Sequence, residues 1–280
     1  MKQTNSSYTT ADGLNLYSRE WLPEATPDSV FLLVHGLGEH SGRYQHVAEF
    51  LTNSGSAVIG FDLRGHGKSD GSRGHAGSYD LVMDDITHFL DQIRTNFPGI
   101  PLFLYGHSLG GNLVLYYLIN RKPIIDGAVV TSPGLSPANI VPAWKIVFGK
   151  VLYFLLPTYK MENGLDVTGL SRDQSVIDAY VADPYVHSKV SARLGLDIIN
   201  HGKLIIEHAS EINIPLLLMV GTSDRIVNPL AVRLFSEKAS KTITYREWEN
   251  FYHELHNEPE KLKVLNSILD WKKIQCSQKI

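Results

Sequence analysis

Tyr105-Gly106-His107-Ser108-Leu109-Gly110-Gly111 is the stretch that decides the fold. Just before it, Pro101-Leu102-Phe103-Leu104-Tyr105 is a short apolar run bounded by Pro and Gly, the pattern of a strand buried on both faces. Just after it, Asn112-Leu113-Val114-Leu115-Tyr116-Tyr117-Leu118 reads as a helix that ends before Pro123. The G-x-S-x-G pentapeptide between them fits a turn too tight for side chains two positions before and after the serine, hence Gly106 and Gly110. Such a turn leaves the Ser108 hydroxyl at a helix N-terminus, where free amides and the helix dipole favour an anionic intermediate. The pentapeptide alone is a weak signal, because glycine makes up about 7% of ordinary sequences. Its strand-turn-helix setting makes Ser108 a candidate nucleophile.

A hydroxyl needs a base to take its proton, and the base needs an acid to orient it. On an α/β-hydrolase scaffold the chain order is serine, then acid, then histidine. Pro215-Leu216-Leu217-Leu218-Met219-Val220 reads as a later strand, and the loop leaving it holds Asp224, the candidate acid. Capping of the helix after Pro229 is the competing role for Asp224. Asp126 opens a strand and so falls at the wrong edge. Thr242-Ile243-Thr244-Tyr245-Arg246-Glu247-Trp248 alternates as a strand does, and only His253 and His256 follow Asp224. His253 lies nearer the strand end and is the expected base. The pair lacks a carboxylate or thiolate cluster and an H-E-x-x-H pattern, so no metal is expected.

Acyl transfer also needs donors for a tetrahedral oxyanion. Val30-Phe31-Leu32-Leu33-Val34 reads as a buried strand, and His35-Gly36-Leu37-Gly38 follows it. The backbone amides of Leu37 and Leu109 are the expected donors. His35 reads as a residue that stabilises the turn. Asp62-Leu63-Arg64-Gly65-His66-Gly67-Lys68-Ser69 reads as a tight structural loop rather than a metal site.

The remaining composition narrows the class. The chain has 280 residues, 43% of them hydrophobic, enough for one α/β domain with an insertion. A formal charge of −3 gives no electrostatic case for nucleic acid. A single cysteine, Cys276, excludes internal disulfides and a thiolate zinc site. Residues 1–7 are polar, without the apolar segment of a secretory signal, and no apolar run is long enough to span a bilayer. A cytoplasmic protein is expected, possible contact with membranes being peripheral. Strands are expected near 30–34, 57–61, 101–105, 127–131, 215–220 and 242–248, after a hairpin over 5–22. Helices are expected near 43–53 and 79–96 and at the C-terminus. That alternation means a mostly parallel sheet covered on both faces. The expected division is an α/β core over 1–134 and 213–280, with a helical cap inserted over 135–212. Within the cap, 144–156 is apolar on nearly all sides and reads either as a buried helix or as a lid that dips into lipid.

The assembled motifs resemble those of the monoacylglycerol lipase family of capped α/β-hydrolases, in the wider lysophospholipase and serine aminopeptidase group. The resemblance is carried by His35-Gly36-Leu37-Gly38-Glu39-His40-Ser41-Gly42-Arg43-Tyr44, the Asp62 loop and the Ser108 turn. Leu170-Ser171-Arg172, Tyr180, Asp183-Pro184, Asp224-Arg225 and Tyr252-His253-Glu254-Leu255-His256 extend it over nearly the whole chain. It implies the α/β-hydrolase fold with an eight-stranded sheet, and cleavage of a monoacylglycerol into fatty acid and glycerol without a cofactor. It also implies Ser108, Asp224 and His253 as the triad, and Glu39, Arg43, Tyr180 and His256 as the pocket for the glycerol head. The competing role for Glu39 and Arg43 is simply to pair with each other at the start of the helix near 43–53. A broad carboxylesterase of short or medium acyl chains, a lysophospholipase and a silent binding scaffold are the rival readings. The expected partner is a small lipid ester, with no obligate protein partner.

Overall fold

The computed structural model describes residues 1–139, 141–239 and 242–277; Ile140, Ser240, Lys241 and residues 278–280, all inside the expected cap and core spans, lie outside the described residues. An antiparallel hairpin comes first, β1 (Lys2–Thr9) and β2 (Asn15–Leu22), turning at Asp12-Gly13. It begins at residue 2, three positions earlier than the sequence suggested, because β1 pairs residue for residue with β2 out to Leu22. The elements that follow are β3 (Ser29–Val34), α1 (Gln45–Asn53), β4 (Ser56–Phe61), α2 (Tyr79–Asn96), β5 (Leu102–His107), α3 (Leu109–Arg121) and β6 (Gly127–Thr131). After an insertion come β9 (Leu216–Gly221), α7 (Pro229–Lys238), β10 (Ile243–Trp248) and α8 (Lys261–Ser277). The insertion holds α4 (Ala143–Leu155), β7 (Lys160–Glu162), α5 (Gln174–Ala182), β8 (Lys189–Ser191) and α6 (Ala192–Glu207), with β7 and β8 forming a separate small pair.

Eight strands make one sheet in the order β1-β2-β4-β3-β5-β6-β9-β10, parallel from β4 onward. This is the α/β-hydrolase fold. The two-residue period of a strand sends alternate side chains to opposite faces. Along β3, Val30, Leu32 and Val34 join the apolar cluster under α2, α3 and α7. Phe31 and Leu33 join the opposite cluster, where Val47 and Leu51 of α1 meet Val264, Ile268 and Trp271 of α8. Burial on both faces is why these strands read as unbroken apolar runs. α2 forms where expected: its apolar residues recur at helical spacing, and the Ser78 hydroxyl caps it by accepting from the Leu81 amide.

The helix expected over 43–53 opens instead with a tight turn, Ser41–Tyr44, in which the His40 ring accepts from the Gly42 amide at 3.1 Å. The Asp62 loop is structural throughout. Asp62 accepts from Ser41 and Lys68 amides, and Arg64 forks onto Asp85 and also reaches Asp12. α6 carries Leu194 and Ile205 into the cluster under α3, so this part of the insertion shares the core of the sheet. α4 is not a buried helix: Trp144 is 66% exposed, Phe154 81% and Leu155 72%, while Leu152 faces inward. An all-apolar helix carries no periodic signal to say which face is covered.

Candidate active site

Ser108, Asp224 and His253 leave the carboxyl ends of β5, β9 and β10, which lie on one half of the sheet with β6 between. Their side chains converge. His253 Nε2 stands 2.9 Å from Ser108 Oγ, and His253 Nδ1 stands 2.8 Å from Asp224 Oδ2. A carboxylate only accepts, so Nδ1 carries the ring proton and the Nε2 lone pair faces the serine hydroxyl. Asp224 Oδ1 is occupied by the amides of Ile226 at 2.8 Å and Val227 at 3.0 Å, which fix the rotation of the carboxylate.

The turn that presents Ser108 is strained and close-packed. Ser108 has φ 54° and ψ −115°, in a region that non-glycine residues avoid. Its amide donates to Thr131 O and its carbonyl accepts from Gly134, so β6 and the loop after it hold the turn from beneath. A Cβ on Gly110 would land on the Val34 and His35 carbonyl oxygens, both main-chain atoms that cannot yield. Gly110→Ala is therefore expected to cost about 3 kcal/mol or more. Differential scanning calorimetry checks this; a Tm equal to that of the parent protein would contradict the close approach.

Leu109 is the first residue of α3, so its amide is one of the helix-start N–H groups that have no partner within the helix. Leu37 lies in the loop leaving β3. The neighbouring Gly36 amide donates to Glu39 at 2.6 Å. His35 bridges that loop: its Nδ1 donates to Gly36 O at 2.8 Å and its Nε2 accepts from Leu63 N at 2.9 Å. It stabilises the turn, as expected.

The residues expected to meet the glycerol head form a buried ionic cluster. Glu39 accepts from Tyr44 OH at 2.7 Å and from Arg43 Nη1 at 2.7 Å, so Glu39 and Arg43 do pair with each other. Arg43 then forks onto Glu254, at 2.5 and 2.8 Å. Its guanidinium also lies 4.6 Å over the Tyr180 ring. Burial alone would raise the Glu254 carboxyl, but the Arg43 guanidinium outweighs it and holds the pKa far below the usual range. His256 is fully buried and stacks on Tyr44 at 4.7 Å, and neither of its ring nitrogens has a hydrogen-bonding partner among the described residues. Burial pushes its pKa down to about 3, so the ring is neutral.

Three contributors escaped the sequence reading. Glu254 was visible only as the residue after the expected base. Ser132 donates its hydroxyl to the His253 carbonyl at 2.8 Å. His107 packs 4.8 Å from the His253 ring and is kept neutral by burial. No local signal marks the role of the last two: Ser132 meets the His253 carbonyl across 121 positions, and His107, although it ends β5 just before the nucleophile, packs on a ring carried by a distant loop.

A family model described as serine aminopeptidase, S33 matches residues 25–260. The chain is 37% identical over 274 residues to an abhydrolase domain-containing protein of Dictyostelium discoideum, covering 97% of this chain and 29% of that much longer protein. It is 32% identical over 271 residues to the monoacylglycerol lipase of Mycolicibacterium smegmatis, covering 96% of each. The crystal structure of Paleococcus ferrophilus monoacylglycerol lipase matches with a TM-score of 0.83 at 34% identity, over 99% of both chains. These likenesses place the chain among the carboxylic ester hydrolases. It belongs to the serine aminopeptidase S33 family of α/β-hydrolases.

Proposed function

We propose that this chain hydrolyses monoacylglycerols to fatty acid and glycerol through an acyl-enzyme on Ser108. The observation that carries the reading is the unbroken hydrogen-bonded line from Ser108 through His253 to Asp224. Likeness to a monoacylglycerol lipase along 96% of both chains supports the choice of substrate. Ser108 Oγ attacks the ester carbonyl while His253 Nε2 takes its proton, and Asp224 steadies the imidazolium that forms. The amides of Leu37 and Leu109 receive the oxyanion, aided by the positive end of the α3 dipole. His253 returns the proton to the departing glycerol oxygen. Water, activated by the same imidazole, then releases the fatty acid. The chemistry requires no metal or cofactor.

Glu39, Arg43, Tyr180 and His256 surround the glycerol head. The unsatisfied nitrogens of His256 offer a hydroxyl a hydrogen bond without displacing an existing one. Residues 135–212 serve as the cap over the 1–134 and 213–280 core. The outward apolar face of α4, with Trp144, Phe148, Phe154 and Leu155, rests on lipid aggregates. Among the described residues no helix is long and apolar enough to cross a membrane, so that contact is peripheral.

A substrate panel tests the reading: monoacylglycerols of graded chain length, p-nitrophenyl esters, a lysophospholipid and prolyl amides. The expected kcat/KM favours a monoacylglycerol over each other class by about tenfold or more, equivalent to about 1.4 kcal/mol. Preference for the lysophospholipid, or equal turnover of every ester, would replace this substrate assignment.

A further inference from the structure

Leu170-Ser171-Arg172 belongs to the sequence pattern, yet no step of the proposed chemistry uses it. It lies in the insertion, and its partners are the loops that carry His253 and Asp224. The His253 amide donates to Gly169 O at 3.2 Å, and the Glu254 amide to Leu170 O at 2.8 Å. Ser171 Oγ donates to Asn257 O at 2.9 Å. Arg172 Nε donates to Glu258 Oε2 at 2.6 Å, and its guanidinium lies 4.9 Å over the Phe251 ring. Glu258 is wholly buried, and its other oxygen accepts from the Tyr252 amide at 2.9 Å. On the far side, Arg225, next to Asp224 in sequence, donates to Thr168 O, and Gly169 sits against the Arg225 side chain.

One short segment of the insertion thus braces both loops of the triad. Among the described residues, the remaining bonds to His253 outside the triad fall on its carbonyl, which accepts from the Ser132 hydroxyl at 2.8 Å and the Leu255 amide at 3.2 Å. A wholly buried carboxylate is expensive unless its oxygens are occupied, and here one oxygen takes the Tyr252 amide beside His253 while the other takes the Arg172 guanidinium of the segment. A misplacement of about 1 Å in a reacting group costs about a hundredfold in rate.

We propose that the 169–172 segment, locked by the Arg172–Glu258 pair, is a strap that positions the His253 imidazole against Ser108 and Asp224 when the insertion is seated. Arg172, Ser171 and Glu258 are positioning residues and touch no substrate. The inference rests on the reading of Ser108, Asp224 and His253 as the triad.

Glu258→Gln keeps the side-chain shape but replaces one acceptor oxygen with an amide that cannot receive an N–H. Rates are taken on 1-monoacylglycerol, per active site titrated with a fluorophosphonate. Glu258→Gln and Arg172→Gln are each expected to lower kcat about 10- to 100-fold, with KM moving less than about threefold. Arg172→Lys keeps the charge and loses the planar fork, so its kcat falls between. The double variant is expected to match the worse single one, because both remove the same contact. The acidic limb of kcat/KM moves to lower pH in these variants. Burial pulls the His253 pKa down, and it is the Asp224 carboxylate that raises it overall, so a ring drifting from Asp224 loses that support.

A purely structural tie would lower Tm and the titratable fraction, leaving kcat per site and the pH limb unchanged; that result overturns the strap. Should neither Gln variant fold, Ser171→Ala carries the test. A kcat reduced about fivefold with the same limb shift supports the strap, and unchanged values overturn it. Parent protein separates the two readings. Failure to turn over any monoacylglycerol refutes the proposed function, whereas full parental turnover with unimpaired variants refutes the strap alone.

Discussion

Ser108→Ala is expected to lower ester hydrolysis about a millionfold, because base and acid accomplish nothing without the oxygen they activate. The same change should leave the fold in place. The backbone strain at φ 54° is already accommodated by the glycines around it and by hydrogen bonds to Thr131 and Gly134, none of which involves the hydroxyl. The hydroxyl has one partner, His253 Nε2 at 2.9 Å, and Ser108 is only half-buried, so water can replace it. The stability cost is therefore about 1 kcal/mol or less. Turnover of a monoacylglycerol, Tm and fluorophosphonate labelling are read on one preparation. Retained hydrolysis in a folded, unlabelled variant would remove Ser108 from the chemistry altogether.

The same site shows what local sequence conveys and what it does not. The inner strands of the parallel sheet announce themselves because both their faces are buried, the edge strand β10 because it alternates, and α2 because its apolar residues recur at helical spacing. Ser108, Asp224 and His253 could be placed in order because nucleophile, acid and base need one another, and this scaffold sets the order of the strand ends that carry them. Contacts between loops carry no such signature. Arg43 meets Glu254 across 211 positions and Arg172 meets Glu258 across 86, and either arginine read alone is one more surface charge. The β7–β8 pair is three residues long on each side and too brief to show alternation. For α4 the composition was plain and the exposure was not, because which side is covered depends on α6 beneath it.

Asp224→Asn is expected to lower kcat about ten-thousandfold, and the reason lies in the two amides that hold the carboxylate. Ile226 and Val227 donate to Oδ1, so an asparagine must keep its oxygen there and turn its NH₂ toward His253 Nδ1. Two donors then face each other unless the ring moves its proton to Nε2. That shift aims an N–H at Ser108 and leaves no base. The pH profile supplies a second reading of the same contact. Burial lowers the His253 pKa, but Asp224, Glu254 and Glu39 together raise it above the ordinary 6.5. His107 and His256, the other titratable rings facing it, are neutral because burial lowers both. General-base action needs the neutral imidazole, so activity in the parent enzyme falls as pH drops through this raised pKa, and the acidic limb lies above 6.5. Removing the Asp224 charge lowers that pKa, so in Asp224→Asn the limb moves to lower pH while the plateau falls. Measured kcat/KM on a neutral monoacylglycerol from about pH 5 to about pH 9 decides the matter, a range that brackets ordinary imidazole titration on both sides. A limb that stays in place would mean that the carboxylate does not raise the pKa of the base, and a plateau within about tenfold of the parent that it does not orient it.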